Sequence, residues 1–466
     1  MGAWSALINL PIVPIHMSLL PDGRAFIWED DNPQGTGRGT NNYTFAYVWD
    51  TAANTITEAD NTTNDVFCSG HAFLPNGQLF VAGGHNLSAN NGLRTGYFFD
   101  STSDTWTLAT SLMANGRWYP TVTTLANGEM LVVSGNMTTA NGVNPIPEVW
   151  ETNNGGGWRE LGDASMSLPL YPWMFVAPNG KVFEAGPNAN TQYLDTSGTG
   201  AWSTLGNHIT GGRDYGSAVM YDDGKVIVIG GGGDSVGGLP LATAEIIDLN
   251  ATTPSWKSVS PMAYARRQMN ATLLPDGKVL VTGGSSSGGF NDATLAVLPA
   301  EMWDPATKSF TTMASMHVPR MYHSSVVLLP DGTVLSAGGG RPAATGTTDQ
   351  VNAEIYSPPY LFQADGSPAI RPVITSVSTT NVTYGQQFSV ATPDAATITG
   401  VNWIRLSSNT HSFNQNQRIN HLGFTQGVGA LSMTTPSSAA LCPPGHYMLF
   451  ILKNGVPSVA TIMQIQ

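Results

Sequence analysis

Charge is scarce in this chain. Asp, Glu, Lys and Arg together make up 11% of 466 residues, and the 19 basic residues are scattered without a cluster. With a net charge of −13 and no basic patch, nucleic acid and anionic membrane surfaces are excluded as expected partners. Long apolar runs are also lacking. None approaches the roughly 18–20 residues of a membrane-spanning helix, so no span is expected. The opening "MGAWSALINLPIVPIH" has no basic stretch followed by a long apolar one. It does not read as a signal peptide, and its Met reads as one placed before a mature start. Cysteine is almost absent: Cys68 and Cys442 stand far apart in unlike contexts, which excludes a disulfide framework and leaves Cys442 with no evident partner. Also missing are H-E-x-x-H, zinc-type Cys pairs, G-x-S-x-G, a Walker loop, a dinucleotide-binding glycine fingerprint and the boxes of sialidase-type propellers.

Glycine and proline, by contrast, are abundant, at 52 and 30 residues, alongside many Thr, Asn and Ser. This is the composition of a turn-rich all-β protein. The hydrophobic share of 41% is enough to fill a core, which excludes a disordered chain. The length suits one large β domain and one small one. Seven N-x-S/T sequons, at Asn42, Asn61, Asn86, Asn136, Asn250, Asn270 and Asn381, together with the low Lys content, point to an extracellular protein.

One phrase organises the chain. It recurs as "LLPDGRAFIW", "FLPNGQLFVAGG", "LANGEMLVVSG", "APNGKVFEAG", "YDDGKVIVIGGG", "LLPDGKVLVTGG" and "LLPDGTVLSAGGG". Each reads as strand, tight Asp/Asn-Gly turn, strand, glycine, because Asp-Gly and Asn-Gly take the positive φ of a two-residue hairpin at little cost. The turn glycines are Gly23, Gly77, Gly128, Gly180, Gly224, Gly277 and Gly332, spaced by 44 to 55 residues. A third strand follows each hairpin ("YVWD", "YFFD", "EVWE", "QYLD", "EIID", "EMWD", "EIYS"), and a fourth follows most ("TWTLA", "GWREL", "AWSTL", "SWKSV", "SFTTM"). Four strands at this period predict propeller blades of the kelch kind. The seventh unit lacks its fourth strand, and "AWSAL" at residues 3–7 is an orphan that would complete it and close the ring. The expected architecture is a seven-bladed kelch-type β-propeller over residues 1–362. Short alternating strands without the phrase, over residues 368–466, predict an Ig-like β-sandwich.

In a propeller the first strand of every blade lines the central channel. Counting nine residues back from each turn glycine therefore selects one level of it: Pro14, Cys68, Tyr119, Tyr171, Tyr215, Gln268 and His323. One step earlier stand Trp118 and Tyr322. Taken singly, a buried Cys or a Tyr–His pair would be packing. Together at one level they suit Cu(II), which takes imidazole nitrogen and phenolate oxygen, with a further ligand due from elsewhere. The level holds no carboxylate, which argues against a glycoside hydrolase.

Four segments now carry a resemblance: "DVFCSGHAFLPNGQLFVAGGH", "GRWYPTVTTLANGEMLVVSG", "PRMYHSSVVLLPDGTVLSAGGG" and "SSNTHSFNQNQR". In this order the chain resembles the copper radical oxidases, the galactose oxidase and glyoxal oxidase family. The resemblance implies one copper ion held by Tyr119, Tyr322, His323 and His411. It implies a self-made thioether between Cys68 and Tyr119 that carries a radical, with O2 as co-substrate and H2O2 as product. It implies that Tyr322 takes the substrate's hydroxyl proton and Tyr119 its hydrogen atom. The "RWYP" form of the second segment is similar to the glyoxal oxidase branch, in which Trp118 would cover the modified ring, and it implies small aldehydes, entering as hydrates, or alcohols as substrates. His71 is expected to support the site by hydrogen bonds, and Arg117 to hold substrate or the local loop. His421 in "RINHLGF" is placed near the hairpin carrying His411, without an assigned role. The chain is expected to act as a monomer. A reading from another class, a kelch-type carbohydrate- or protein-binding propeller without activity, is separated from the oxidase by copper binding and cross-linking. The loops 33–43 and 286–293 that would shape a pocket carry no readable code.

Overall fold

The computed structural model describes residues 1–30, 43–86, 91–138, 140–232, 238–341 and 344–466. Its regular structure there is all β, apart from a few short 3-10 turns. Each recurring phrase forms an antiparallel hairpin, and the seven turn glycines take φ between +67° and +92°, where an L-residue is strained. The first three strands of each unit lie in sequence order in one sheet. Gly70–Phe73, Leu79–Ala82 and Gly96–Asp100 with Thr105–Leu108 are typical. In the last unit Ser324–Leu328, Val334–Gly338 and Asn352–Ser357 receive Ala3–Trp4 from the start of the chain, with Trp4 opposite Tyr356.

Among the described residues seven such sheets follow one another, and hydrogen bonds link each to the next. Cys68 N–H reaches His16 from the second sheet to the first at 2.9 Å. Tyr119 N–H donates to Cys68 O, Tyr171 N–H to Tyr119 O, Arg213 N–H to Pro187 O and Gln268 N–H to Tyr215 O. Asn270 donates to Ser324 O, and Ser325 Oγ donates to Ile15 O, which returns the circuit to the first sheet. Apolar side chains fill the spaces between sheets, as in the Phe26–Phe99 stack at 3.8 Å. Each fully buried aliphatic or Phe side chain there contributes about 1.5–3 kcal/mol.

A buried ion pair recurs in four of the sheets: Arg117–Glu148, Arg213–Glu245, Arg266–Glu301 and Arg320–Glu354. In each, the guanidinium also donates to backbone carbonyls of its own sheet; for Arg117 these are Ser134 O and Ile146 O. Arg117 thus ties down its loop, and its charge faces Glu148 rather than a substrate. Two of the sequons lie inside the fold, since Asn61 and Asn270 are buried. Asn42 lies outside the described residues.

The strands after residue 370 make two further sheets around a separate core that includes Trp403, Tyr447 and Cys442. They meet the other sheets at their turn ends: Gln464 Nε2 donates to Pro75 O, Asn402 Nδ2 to Pro275 O and Ala460 N to Pro330 O. His421 belongs to this contact. It bonds Asn402 Oδ1 and lies near Gly277 and Asp222, at the turn end, not beside His411. Residues 408–418 leave this unit as a hairpin and run between the inner strands. Ser408–Thr410 pairs with His16–Ser18, extending the first sheet. Gln415 Oε1 accepts from Val122 N–H and His71 N–H, Gln417 Nε2 donates to Ala271 O and Arg418 Nη2 to Val176 O.

Candidate metal centre

The six non-proline residues at the register level share one backbone property. Cys68, Tyr119, Tyr171, Tyr215, Gln268 and His323 all have positive φ, between +47° and +68°. A left-handed residue other than glycine costs about 1–2 kcal/mol, so six at one level are held there by their surroundings. Pro14, whose ring fixes φ negative, is the exception by chemistry.

This twist explains how adjacent side chains meet. In an extended strand Trp118 and Tyr119 would point to opposite faces. The left-handed step at Tyr119 turns the second ring back, and the two stack with centroids 3.8 Å apart and planes 21° apart. Tyr322 and His323 repeat the arrangement at 3.8 Å and 24°. Tyr119 Oη and Tyr322 Oη are hydrogen-bonded to each other. Cys68, Tyr119 and Tyr171 form a small buried cluster capped by Trp118, Phe67 and Leu170.

His411 arrives from the C-terminal unit at the tip of a two-residue turn, with Thr410 paired to Phe413. His411 and Ser412 both have positive φ, +48° and +70°, the geometry usually served by Asn-Gly. The hairpin is anchored by Ser217 Oγ donating to Ser412 O. His411 Nε2 then lies 2.9 Å from His323 Nε2 and 3.6 Å from Cys68 Sγ. Cys68, His323 and His411 offer three ligand atoms within 4.8 Å of one another.

The donor set fits a transition metal. Thr410 Oγ donates to Ile15 O at 3.1 Å, so it accepts from His411 Nδ1–H at 2.7 Å, which leaves the His411 Nε2 lone pair turned to the centre. Burial lowers the basicity of His411 well below the usual range and takes His323 down to about 3, so both rings are neutral, the form that binds metal. At 2.9 Å the two Nε2 atoms stand close enough together that one ion could be held by both. Burial also pushes the Cys68 thiol and the Tyr119 and Tyr322 phenols up.

Beside Tyr119 and His411 opens a cavity of about 210 Å³ walled by Pro169, Leu170, Tyr171, Trp173, Pro187, Asp214, Tyr215 and Gly216. Among the described residues Asp214 is the one carboxylate in that wall. Phe290, in the 286–293 loop, packs on Tyr322 at 4.7 Å and on Tyr215 at 5.4 Å. The 33–43 loop, apart from Tyr43, lies outside the described residues. His71 is not among the clustered ligand atoms; it bonds His16 and Ser408. His16, Ser408, Thr410 and Gln415, which bond the site's elements, are not singled out by the motifs and register legible in the sequence. Thr410 and Ser408 had a faint signal, since they flank His411 in "SSNTHSFNQNQR", whereas His16 had none.

Inner strands and an inserted hairpin of an all-β chain gather two phenols, two imidazoles and a cysteine, a donor set of the class that copper oxidases use. The comparisons agree with that class. The sequence profile of the glyoxal oxidase N-terminus matches residues 29–194 and 239–360, and that of the galactose oxidase-like early set domain matches residues 371–465. A galactose oxidase of Gibberella zeae is 31% identical over an alignment that covers all of this chain and 71% of the relative. The aldehyde oxidase GLOX of Vitis pseudoreticulata is 31% identical over 86% of this chain and 82% of its own. A solved fungal alcohol oxidase of the AA5 family, in complex with copper, superposes with a TM-score of 0.90 at 29% identity, covering 100% of this chain and 99% of that one. The chain belongs to the galactose oxidase and glyoxal oxidase family of copper radical oxidases. No helix among the described residues is long and apolar enough to cross a membrane.

Proposed function

We propose that this protein is a mononuclear copper radical oxidase that converts small aldehydes, as hydrates, or alcohols with O2 and releases H2O2. The observation that carries this reading is the meeting of Tyr119, Tyr322, His323 and His411 beside Cys68, with Trp118 stacked on Tyr119. These four residues would hold the metal. Copper bound there supplies a one-electron oxidant and a Lewis acid for the substrate oxygen.

The remaining work falls to the chain. Tyr322 takes the substrate's hydroxyl proton at Oη. Tyr119, joined to Cys68 Sγ by a thioether, holds the second oxidising equivalent as a phenoxyl radical and takes the hydrogen atom from the substrate carbon. The indole of Trp118 covers that ring and keeps water from it, an offset stack worth about 0.5–1.5 kcal/mol beyond its buried area. The largely apolar cavity of about 210 Å³ orients a small substrate with its oxygen toward the centre. The glyoxal oxidase profile and the "RWYP" segment favour aldehydes. Among the described residues of the cavity wall Asp214 is a lone carboxylate, not the pair that glycoside hydrolysis uses.

In the same reading the seven linked sheets are the blades of one propeller over residues 1–362, closed by Ala3–Trp4. Residues 368–466 are an Ig-like domain whose hairpin delivers His411. The exposed sequons Asn86, Asn250 and Asn381 accord with export.

The test is aerobic copper loading of the purified chain followed by peptide mass measurement and H2O2 detection over a panel of aldehydes and alcohols. The expected result is one copper per chain, loss of two hydrogens from the joined Cys68 and Tyr119 peptides, and peroxide with at least one small substrate. Copper-loaded chain with an intact Cys68 thiol would refute the reading and leave the binding propeller.

A further inference from the structure

Outside the donor set, a buried line of hydrogen bonds runs from the Cys68 backbone to the hairpin that carries His411. Cys68 N–H donates to His16 Nε2 at 2.9 Å. His16 Nδ1 faces His71 Nε2 at 3.0 Å, and His71 Nδ1 lies 2.5 Å from Ser408 Oγ. Ser408 Oγ donates in turn to His71 O at 2.9 Å. His16, His71 and Ser408 are all fully buried.

The protons along this line are fixed by its first member. A backbone amide only donates, so His16 Nε2 holds a lone pair and the proton of the neutral ring sits on Nδ1. That proton goes to His71 Nε2, which places the His71 proton on Nδ1 and directs it to Ser408 Oγ. The Ser408 hydrogen is then free for the His71 carbonyl, and Ser18 Oγ, 3.1 Å away, completes the serine's surroundings. Every donor has an acceptor, and the direction is set from end to end. A parallel stack on Trp28, at 4.7 Å and 2°, holds the His16 ring in plane.

The line joins two elements on which the centre depends. One end grips the amide of Cys68, whose φ of +58° the thiol needs in order to face the level of Tyr119. The other end grips Ser408, three residues before His411, in the strand that pairs with His16–Ser18. A neutral, fully satisfied network of this kind is rigid, whereas the same network with one member removed leaves buried polar groups unpaired.

We propose that His16 and His71 are positioning residues for the Cys68–Tyr119 cross-link: a two-imidazole strut that fixes the Cys68 backbone and ties it to the His411 hairpin. This rests on the radical-oxidase reading. In the step they serve, a C–S bond forms between Sγ and a ring carbon of Tyr119. The S–H and ring C–H bonds break, and two electrons and two protons pass to O2 to give H2O2. The strut takes no part in the electron transfer. Its contribution is to hold Sγ against the ring for the time the reaction needs.

The experiment compares the unmodified chain with His16→Leu, His16→Gln and Ser408→Ala. It reads the rate of two-hydrogen loss after aerobic copper loading, the copper affinity and the melting temperature. Leu removes the acceptor for Cys68 N–H, whereas Gln supplies both an acceptor and a donor. His16→Leu is expected to cross-link about tenfold more slowly while its copper affinity stays within about threefold, and His16→Gln to recover most of the rate. Cross-linking by His16→Leu at the unmodified rate overturns the proposal. So does a slowdown matched by an equal loss of copper affinity, or a Gln variant as slow as the Leu one. If His16→Leu does not fold, Ser408→Ala decides: a slower reaction at unchanged copper affinity supports the strut, and an unchanged rate overturns it. Absence of cross-linking in the unmodified chain is a distinct result that removes the oxidase reading and the strut together.

Discussion

Gln415 is a residue with which the inserted hairpin grips both the second and the third sheet, and its removal has a calculable effect. Its Oε1 accepts from Val122 N–H at 2.8 Å and from His71 N–H at 3.2 Å, and the residue is 5% exposed. In Gln415→Met the side chain keeps its length but loses the acceptor. Two buried amides then lack a partner, at about 1–3 kcal/mol each. Part of this is returned, because Gln415 Nε2 has no partner among the described residues and its removal relieves about the same amount once. The net destabilisation is about 1–3 kcal/mol. The backbone bond from Gln415 N to Ser408 O is untouched, so the hairpin itself still forms. The assay is equilibrium denaturation followed by tryptophan fluorescence, with the slope compared to confirm that the same unit unfolds. A change below about 0.5 kcal/mol at equal slope would show that water or a backbone shift satisfies both amides, and that the hairpin is not held through this side chain.

Trp118→Ala is expected to leave copper affinity within about threefold and to shorten the lifetime of the Tyr119 radical, read by EPR decay after oxidation, because the stacked indole is that ring's cover; a radical as long-lived as in the unmodified chain would assign Trp118 to packing alone. Tyr119→Phe should abolish peroxide production while the fold persists, and retained turnover would displace the radical from this residue. Ser412→Gly relieves a left-handed serine at φ +70°; after the glycine's extra chain entropy it should stabilise by about 0.5–1 kcal/mol, seen as a higher melting temperature with copper binding unchanged. Glu184 is fully buried, has no ion pair among the described residues, and burial pushes its carboxyl well up from the usual range. Because the folded chain holds this proton more tightly than the unfolded one, its contribution is present below the unfolded value and is lost as pH rises. Glu184→Gln should therefore gain on the unmodified chain between about pH 5 and pH 8, and melting curves that stay parallel over that range would refute the assignment.

The repeat was legible because its physics is local. Asp-Gly and Asn-Gly turns and alternating strands act over about a dozen residues, so counting from each turn glycine brought Cys68, Tyr119, Tyr171, Tyr215, Gln268 and His323 to one level. In the structure these six share a left-handed backbone, and hydrogen bonds run from Cys68 through Tyr119 to Tyr171. For Arg117 the sequence left substrate and the local loop both open, since nothing local reveals that Glu148, 31 residues on, neutralises it inside the sheet.

What the sequence alone determined is the all-β character, the sevenfold hairpin register and the chemistry gathered at one level of it. What only the tertiary structure decided lies outside the repeat or against local preference. The left-handed turn that stacks Trp118 on Tyr119 and Tyr322 on His323 is unfavourable locally and exists because neighbouring sheets clamp it. His411 meets His323 across 88 residues of sequence because a strand pairing between Ser408–Thr410 and His16–Ser18 carries it there. His16 gave no signal at all, since its role comes from a backbone amide 52 residues away. Contacts between distant segments depend on how the sheets close on one another, and no window of sequence contains that closure.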